Sequence, residues 1–206
     1  MISLKEEYLT DNNTSTKDLK SMEILKYTGA FQPFLTIDVL NRLGAPKNLI
    51  TIALSLLEEN MTFEFISKKS NEIANLLESK SKAKYVELYN ADTIFVSDGL
   101  NAIEINEIIT SAFPEERSML TKQTTFVIAV KRLGKDLCSS GLRLFIDHQD
   151  KQDFTICDVE GLPFGWIAER QLINNQFPNE MSLILIDQFN KYIYIPSHAL
   201  IEVECF

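Results

Sequence analysis

Glycine is scarce in this chain, seven in 206 residues, and none falls in a G-x-x-x-x-G-K-[ST] or G-x-G-x-x-G pattern. Neither backbone device that cradles phosphates ahead of a helix is therefore encoded. G-x-S-x-G is missing too, which removes the strained elbow that exposes an esterase nucleophile. Only two histidines occur, His148 and His198, and neither has a partner at H-x-H, H-E-x-x-H or H-x-x-C spacing. The three cysteines, Cys138, Cys157 and Cys205, are too few and too far apart for a disulfide scaffold, a C-x-x-C redox pair or an iron–sulfur motif. They read as small packing residues in a reducing compartment. Positive charge is also short: 20 Lys and Arg stand against 29 Asp and Glu, a net charge of -9. Such a surface does not draw in DNA or anionic membrane by charge. No apolar run approaches the length of a membrane span, and the start, MISLKEEYLTDNNTSTKD, carries acids by position 6 and is unlike a signal peptide. A cytoplasmic protein binding neither nucleic acid nor membrane is expected.

What is present is ordinary globular composition, 45% hydrophobic and 24% charged. A chain of this length buries roughly 70% of its unfolded surface, enough for one core without staples. Residues 1–16 read as a polar leader and 17–206 as a single domain. Helical periodicity appears around Asp18–Tyr27 and Phe34–Leu43, then in a segment carrying Leu49, Ile52, Ala53, Leu56 and Leu57 with Asn48 as its cap. Strand 61–66 follows, then a helix from Ser70, its expected cap, to Leu77. Strand 92–97 lacks polar alternation, as does the β-branched run TTFVIAV at 124–130; both read as strands covered on two faces. Between them Ala102–Ile109 reads as helix, although Ile103 and Ile105 leave strand open. Leu142–Ile146 and Phe154–Val159 form a hairpin pattern across a polar loop. A helix holding Trp166, Ile167, Leu172 and Ile173 precedes strands at Met181–Ile186, Tyr192–Ile195 and Ile201–Val203. The expected fold is a three-layer α/β/α domain with a mixed sheet.

Candidates for chemistry are few. A near-neutral imidazole suits a general base, with Asp147 or Glu202 to orient it. His148 lies in the polar loop DHQD, and His198 follows a strand beside Ser197. Cys138 has no activating base at a useful spacing. Pro163 in GLPFG removes an amide that a phosphate nest would need, so Gly161 and Gly165 read as a tight connection. The pairs Glu58-Glu59, Glu115-Glu116 and Asp150/Asp153 read as solvated, and the aromatics as core. No catalytic, cofactor-binding or metal-binding residue is assigned.

The closing segment carries a resemblance. Phe177-Pro178-Asn179-Glu180-Met181-Ser182-Leu183-Ile184-Leu185-Ile186, then Ile195-Pro196 and Ile201-Glu202-Val203, resembles the end of the H subunit of bacterial carbon–phosphorus lyase. That family reads F-P-x-G-x-D-L-I-L, then I-P-R-T-T-x-V. Leu56-Leu57 followed by Thr62-Phe63-Glu64-Phe65 is similar to its L-L-x-L-x-D and T-P-V-W segments. Asp92–Asp98, Leu142–Leu144 and Glu160-Gly161-Leu162 fall in the family's order, and the likeness covers at least residues 48–206. The chain departs from it where the family glycine and aspartate fall on Glu180 and Ser182, and its Arg-Thr-Thr on Ser197-His198-Ala199. An anion contact by that arginine does not transfer.

The resemblance implies a fold similar to pyridoxal-phosphate-dependent transferases, without the cofactor, and a homodimer that joins G, I and J subunits. It implies an accessory, non-catalytic role in phosphonate breakdown, supporting transfer of phosphonate to the ribose of ATP by those partners. A Schiff-base lysine would be sought at Lys131, after strand 124–130, but the Lys131-Arg132 pair reads as a solvated strand end. Two other readings stay open: a small transferase or hydrolase acting on a phosphorylated ligand through His198, and an unrelated binding or structural module. The dimer is expected to cover strands 181–186 and 192–195, if either lies at a sheet edge.

Overall fold

The computed structural model describes residues 25–26, 44, 46–97, 99–114, 123–137, 140–147, 154–177 and 180–206. The leader, the helix expected at Phe34–Leu43, His148 and Cys138 lie outside them. The elements in order are β1 (Leu25–Lys26), α1 (Lys47–Leu56), β2 (Thr62–Ile66), α2 (Ser70–Ser81), β3 (Lys84–Tyr85) and β4 (Thr93–Val96). Then come α3 (Ala102–Ala112), β5 (Thr124–Val130), β6 (Arg132–Gly134), β7 (Leu142–Asp147) and β8 (Phe154–Glu160). The chain closes with α4 (Gly165–Gln176), β9 (Met181–Asp187), β10 (Lys191–Ile195) and β11 (Leu200–Cys205).

The larger sheet has the order β1-β10-β9-β5-β4-β2-β3. Strands β2, β4, β5 and β9 run parallel, and the hairpin strand β10 returns antiparallel to β9. Parallel strands need crossovers, and the helices supply them. The lack of alternation in the sequence is explained here: every residue of β4 and β9 is buried. On one face Phe63, Phe65, Phe95, Val127, Ala129, Ile184 and Ile186 pack against α1 and α2. On the other, Ile94, Val96, Phe126, Ile128, Leu183 and Leu185 meet α3 and α4. Each fully buried Phe in these layers contributes about 1.5–3 kcal/mol. Helices on both faces of a mixed sheet match the sequence reading.

A second sheet, order β11-β7-β8-β6, is wholly antiparallel among its described strands and joins the α3/α4 core. Its hairpin was legible, but its separation from the main sheet was not. Chain geometry causes the split. After Val130 the backbone peels away into β6, and after Ile195 it turns at Pro196 into β11. Inner residues Leu133, Leu144, Ile146, Cys157, Val159 and Ile201 then bury on the same core as the main sheet.

Several local expectations need correction. Leu25–Lys26 is strand paired with Lys191 and Tyr192, not the end of a helix, so tertiary pairing overrides a weak periodic signal. Asn48 is not a cap: α1 starts at Lys47, and Asn48 is buried with Nδ2 donating to the Asp187 carbonyl at 2.6 Å. Ser70 does not cap α2 either, since its hydroxyl closes a turn with Ser67. Ala102–Ala112 is helix, because Asn101 and Glu104 form a reciprocal capping box. The helix read around Trp166, Ile167, Leu172 and Ile173 is α4, where Leu172 is 56% exposed and the polar Arg170 is buried. β9 is interior, so the condition set for a dimer contact there, a strand at a sheet edge, is not met by it. β10 carries the two residues of β1 on its outer side.

Candidate functional site

Open α/β sheets bind ligands where neighbouring strands send their crossovers in opposite directions. Here that point lies between the carboxyl ends of β2 and β4, since α2 and α3 cover opposite faces. Ser67, Lys69, Ser70, Ser97 and Asn101 line it. The amides at the α3 start are already engaged: Asn101 Oδ1 accepts from Ile103 and Glu104, and Glu104 Oε2 accepts from Asn101. A carboxylate there repels an incoming anion. Ser70 and Ser67 bond each other, and Ser97 Oγ donates to the Ile66 carbonyl at 3.0 Å. Among the described residues, these side chains at the place the topology reserves for phosphate bond to each other and to nearby backbone.

The opposite end of the sheet holds a denser polar assembly. Gln123, just ahead of β5, donates its amide to Ser182 Oγ at 2.9 Å and to Ser197 Oγ at 3.3 Å. Ser182 is fully buried and Ser197 is 5% exposed. Tyr194 Oη lies 3.5 Å from Ser182 Oγ. From α4, Asn174 donates to the Met181 and Ser197 carbonyls and accepts from the Met181 amide. Gln171 reaches the Ile201 carbonyl at 2.7 Å. Arg170, 2% exposed, donates Nη2 to the carbonyls of Pro196 at 2.5 Å and of Ser197 and Ala199 at 3.0 Å. One turn of α4 thus fixes the corner where the chain leaves the large sheet for the small one.

The electrostatics fit fastening more than catalysis. Burial pushes the Arg170 guanidinium down to about 10, only partly offset by Tyr194. No carboxylate pairs with it among the described residues, and backbone carbonyl dipoles carry its charge instead. Among the described residues, its Nε, and Oε2 of buried Glu180, have no hydrogen-bond partner. Two hydroxyls and a carboxamide are oriented here, but a carboxamide does not abstract protons. Ser182 and Ser197 are held, not activated.

His198 sits exposed on the turn after Ser197, at the amino end of the parallel strands and so away from the switch point that motivated it. Lys131 is exposed, its stem lying against Gly161, where an added Cβ would come within 2.7 Å of Lys131 Cγ. Gly161 has φ +83, which accounts for the tight connection read from GLPFG. Cys157 is buried, its thiol pushed up to about 12 mainly by desolvation, and Cys205 is exposed. Among the described residues no group of three His, Cys, Asp or Glu gathers to hold a metal, and no helix is long and apolar enough to cross a membrane. The pairs at 115–116 and 150/153 lie outside the described residues.

Sequence reasoning missed Gln123, Arg170 and Asn174. A polar residue inside a helix reads as solvated unless the corner it fastens is known. Ser182 was visible only as a departure from a family pattern, and Ser197 as that and as the neighbour of His198. No family model matches the chain, and no curated protein sequence matches it.

Proposed function

We propose that this chain is a divergent accessory subunit of a carbon–phosphorus lyase system, without catalysis of its own. One observation carries the reading. Positions 182 and 197 are separated by a whole hairpin in sequence, yet their hydroxyls share the single Gln123 amide. In the family pattern these two positions hold Asp and Arg. Side chains of opposite charge at such positions are near enough to pair in a buried corner. Here the pair is replaced by two neutral hydroxyls bridged by a neutral amide. Loss of one charge alone would leave the other buried and uncompensated at about 3–5 kcal/mol, so both have to go together. That joint neutral replacement is what a divergent member would carry.

The finer fold assignment belongs to the same proposal: a sheet with helices on both faces, related to pyridoxal-phosphate-dependent transferases but with no lysine built into a cofactor site. Exposed Lys131 supports this, since a Schiff-base lysine works from a shielded position against the ring. In this reading the protein is a homodimer that joins G-, I- and J-like subunits, and those partners move the phosphonate to the ribose of ATP. Affinity purification from the native source under complex-preserving conditions tests it. Co-recovery of G- and I-like proteins is expected; recovery of the chain alone would overturn the proposal.

A further inference from the structure

Among the described residues, strand β11 is an outer strand of the small sheet. The mutual bonds between Gly141 and Phe206 fix the ladder phase: N–H of each meets the carbonyl of the other at 3.1 and 3.2 Å. Counting back along the register, Glu204, Glu202 and Leu200 direct their backbone groups to Arg143, Phe145 and Asp147 on β7. Ile201, Val203 and Cys205 therefore direct theirs outward. The outward Ile201 carbonyl is taken by Gln171, which bears out the phase. Val203 and Cys205 keep an open donor and acceptor each among the described residues.

The side chains state what would fit. Leu200, Glu202 and Glu204 project from the outer face, all exposed, with Leu200 at 56%. They continue into a face where Phe154 and Ile156 are also exposed, at 64% and 36%. On the inner face Val203 is half-buried at the rim of the core. A second copy of β11 does not fit well. Antiparallel registers that overlap most of the strand put Glu202 or Glu204 opposite another of these carboxylates, and like charges directly opposed destabilise a ladder. Arg143, opposite Glu204 on β7, offsets that carboxylate in part while Asp158 holds it through two hydrogen bonds of 2.6 and 2.9 Å. Glu202 faces Phe145, which brings it no charge.

We infer that β11 docks an extended segment of another protein by strand addition, with Lys or Arg opposite Glu202 and Glu204 and β-branched residues beside Val203. Main-chain bonds supply the affinity and the alternating side chains supply the choice. The inference does not depend on which family the chain belongs to. Its test uses the purified chain and fluorescein-labelled peptides, Lys-Val-Lys-Val-Lys-Val and Glu-Val-Glu-Val-Glu-Val, read by anisotropy. Saturable binding of the basic peptide is expected, at least tenfold tighter than the acidic one. The double variant E202K/E204K should reverse that preference. Glu204 stands opposite Arg143, so some loss of melting temperature is expected there, whereas E202K alone, opposite Phe145, should weaken binding of the basic peptide with its melting curve unchanged. A basic peptide N-methylated at alternate amides should lose at least tenfold. Equal binding of the methylated peptide would mean charge attraction without a ladder and would overturn the inference. So would an unchanged preference in E202K/E204K, or no saturable binding at all.

Discussion

Placing the family pattern's Asp and Arg at the buried corner tests the proposed family reading without any partner. Ser182→Asp places a carboxylate at a fully buried position with two neutral donors, the Gln123 amide and the Tyr194 hydroxyl, to receive it. Leaving such a charge unpaired costs about 3–5 kcal/mol. Ser197→Arg adds a guanidinium at a 5% exposed position whose carbonyl already bonds the buried Arg170, and a similar cost of about 3–5 kcal/mol follows from the same physics. The serine hydroxyls lie within two hydrogen-bond lengths of each other through Gln123, so the new charges can meet. The double variant should therefore be more stable than the summed single effects by about 2 kcal/mol or more. For a chain of this size that is about 4–8 °C in melting temperature. Urea unfolding read by the fluorescence of buried Trp166, the only tryptophan, gives all four corners of the cycle. Additivity within about 0.5 kcal/mol would refute the argument that these positions form a charge-pair site.

Arg170→Met removes the donor to three backbone carbonyls while keeping most of the buried volume; we expect a loss of about 3–5 kcal/mol in urea unfolding, and a loss under about 1 kcal/mol would contradict the fastening role. Tyr85 is pushed up to about 12, first by burial and then by its hydrogen bond to Glu64 and that group's charge. Glu64→Gln should bring its phenolate absorbance titration partway back toward 10, with Tyr85→Phe identifying the transition; an unmoved titration would remove Glu64 as a cause. Asp158 is held below the usual carboxylate range, chiefly by its hydrogen bond to Arg143. Its contribution is complete above the unfolded value of about 3.9 and fades as pH falls through the lower folded value. Asp158→Asn should therefore narrow the melting-temperature gap between pH 7 and pH 3, and an equal gap would show that other carboxylates set the acid limit.

The one-dimensional pattern determined the covered strands. Thr93–Val96 and Thr124–Val130 lack polar alternation because both faces are buried, and that absence is visible in any window of the chain. It also determined the hairpin of β7 and β8 and the turn at Gly161, where local chemistry and tertiary demand agree. Over residues 102–109 it favoured helix but left strand open, and the structure settles on helix. Tertiary structure alone decided where the strands go. Whether Phe154–Glu160 extends the main sheet or founds a second one depends on the backbone peeling away after Val130, and the same alternation serves either outcome. Asn48 has the chemistry of a helix cap but is spent on the Asp187 carbonyl, 139 residues away in sequence. Arg170, Asn174 and Gln123 read as solvent-facing, because a polar side chain is expensive to bury until its acceptors are in place. Those acceptors are backbone carbonyls of a corner that exists only once the two sheets have separated. The meeting of Ser182 with Ser197 has the same origin: hairpin register brings together two positions that no local spacing connects.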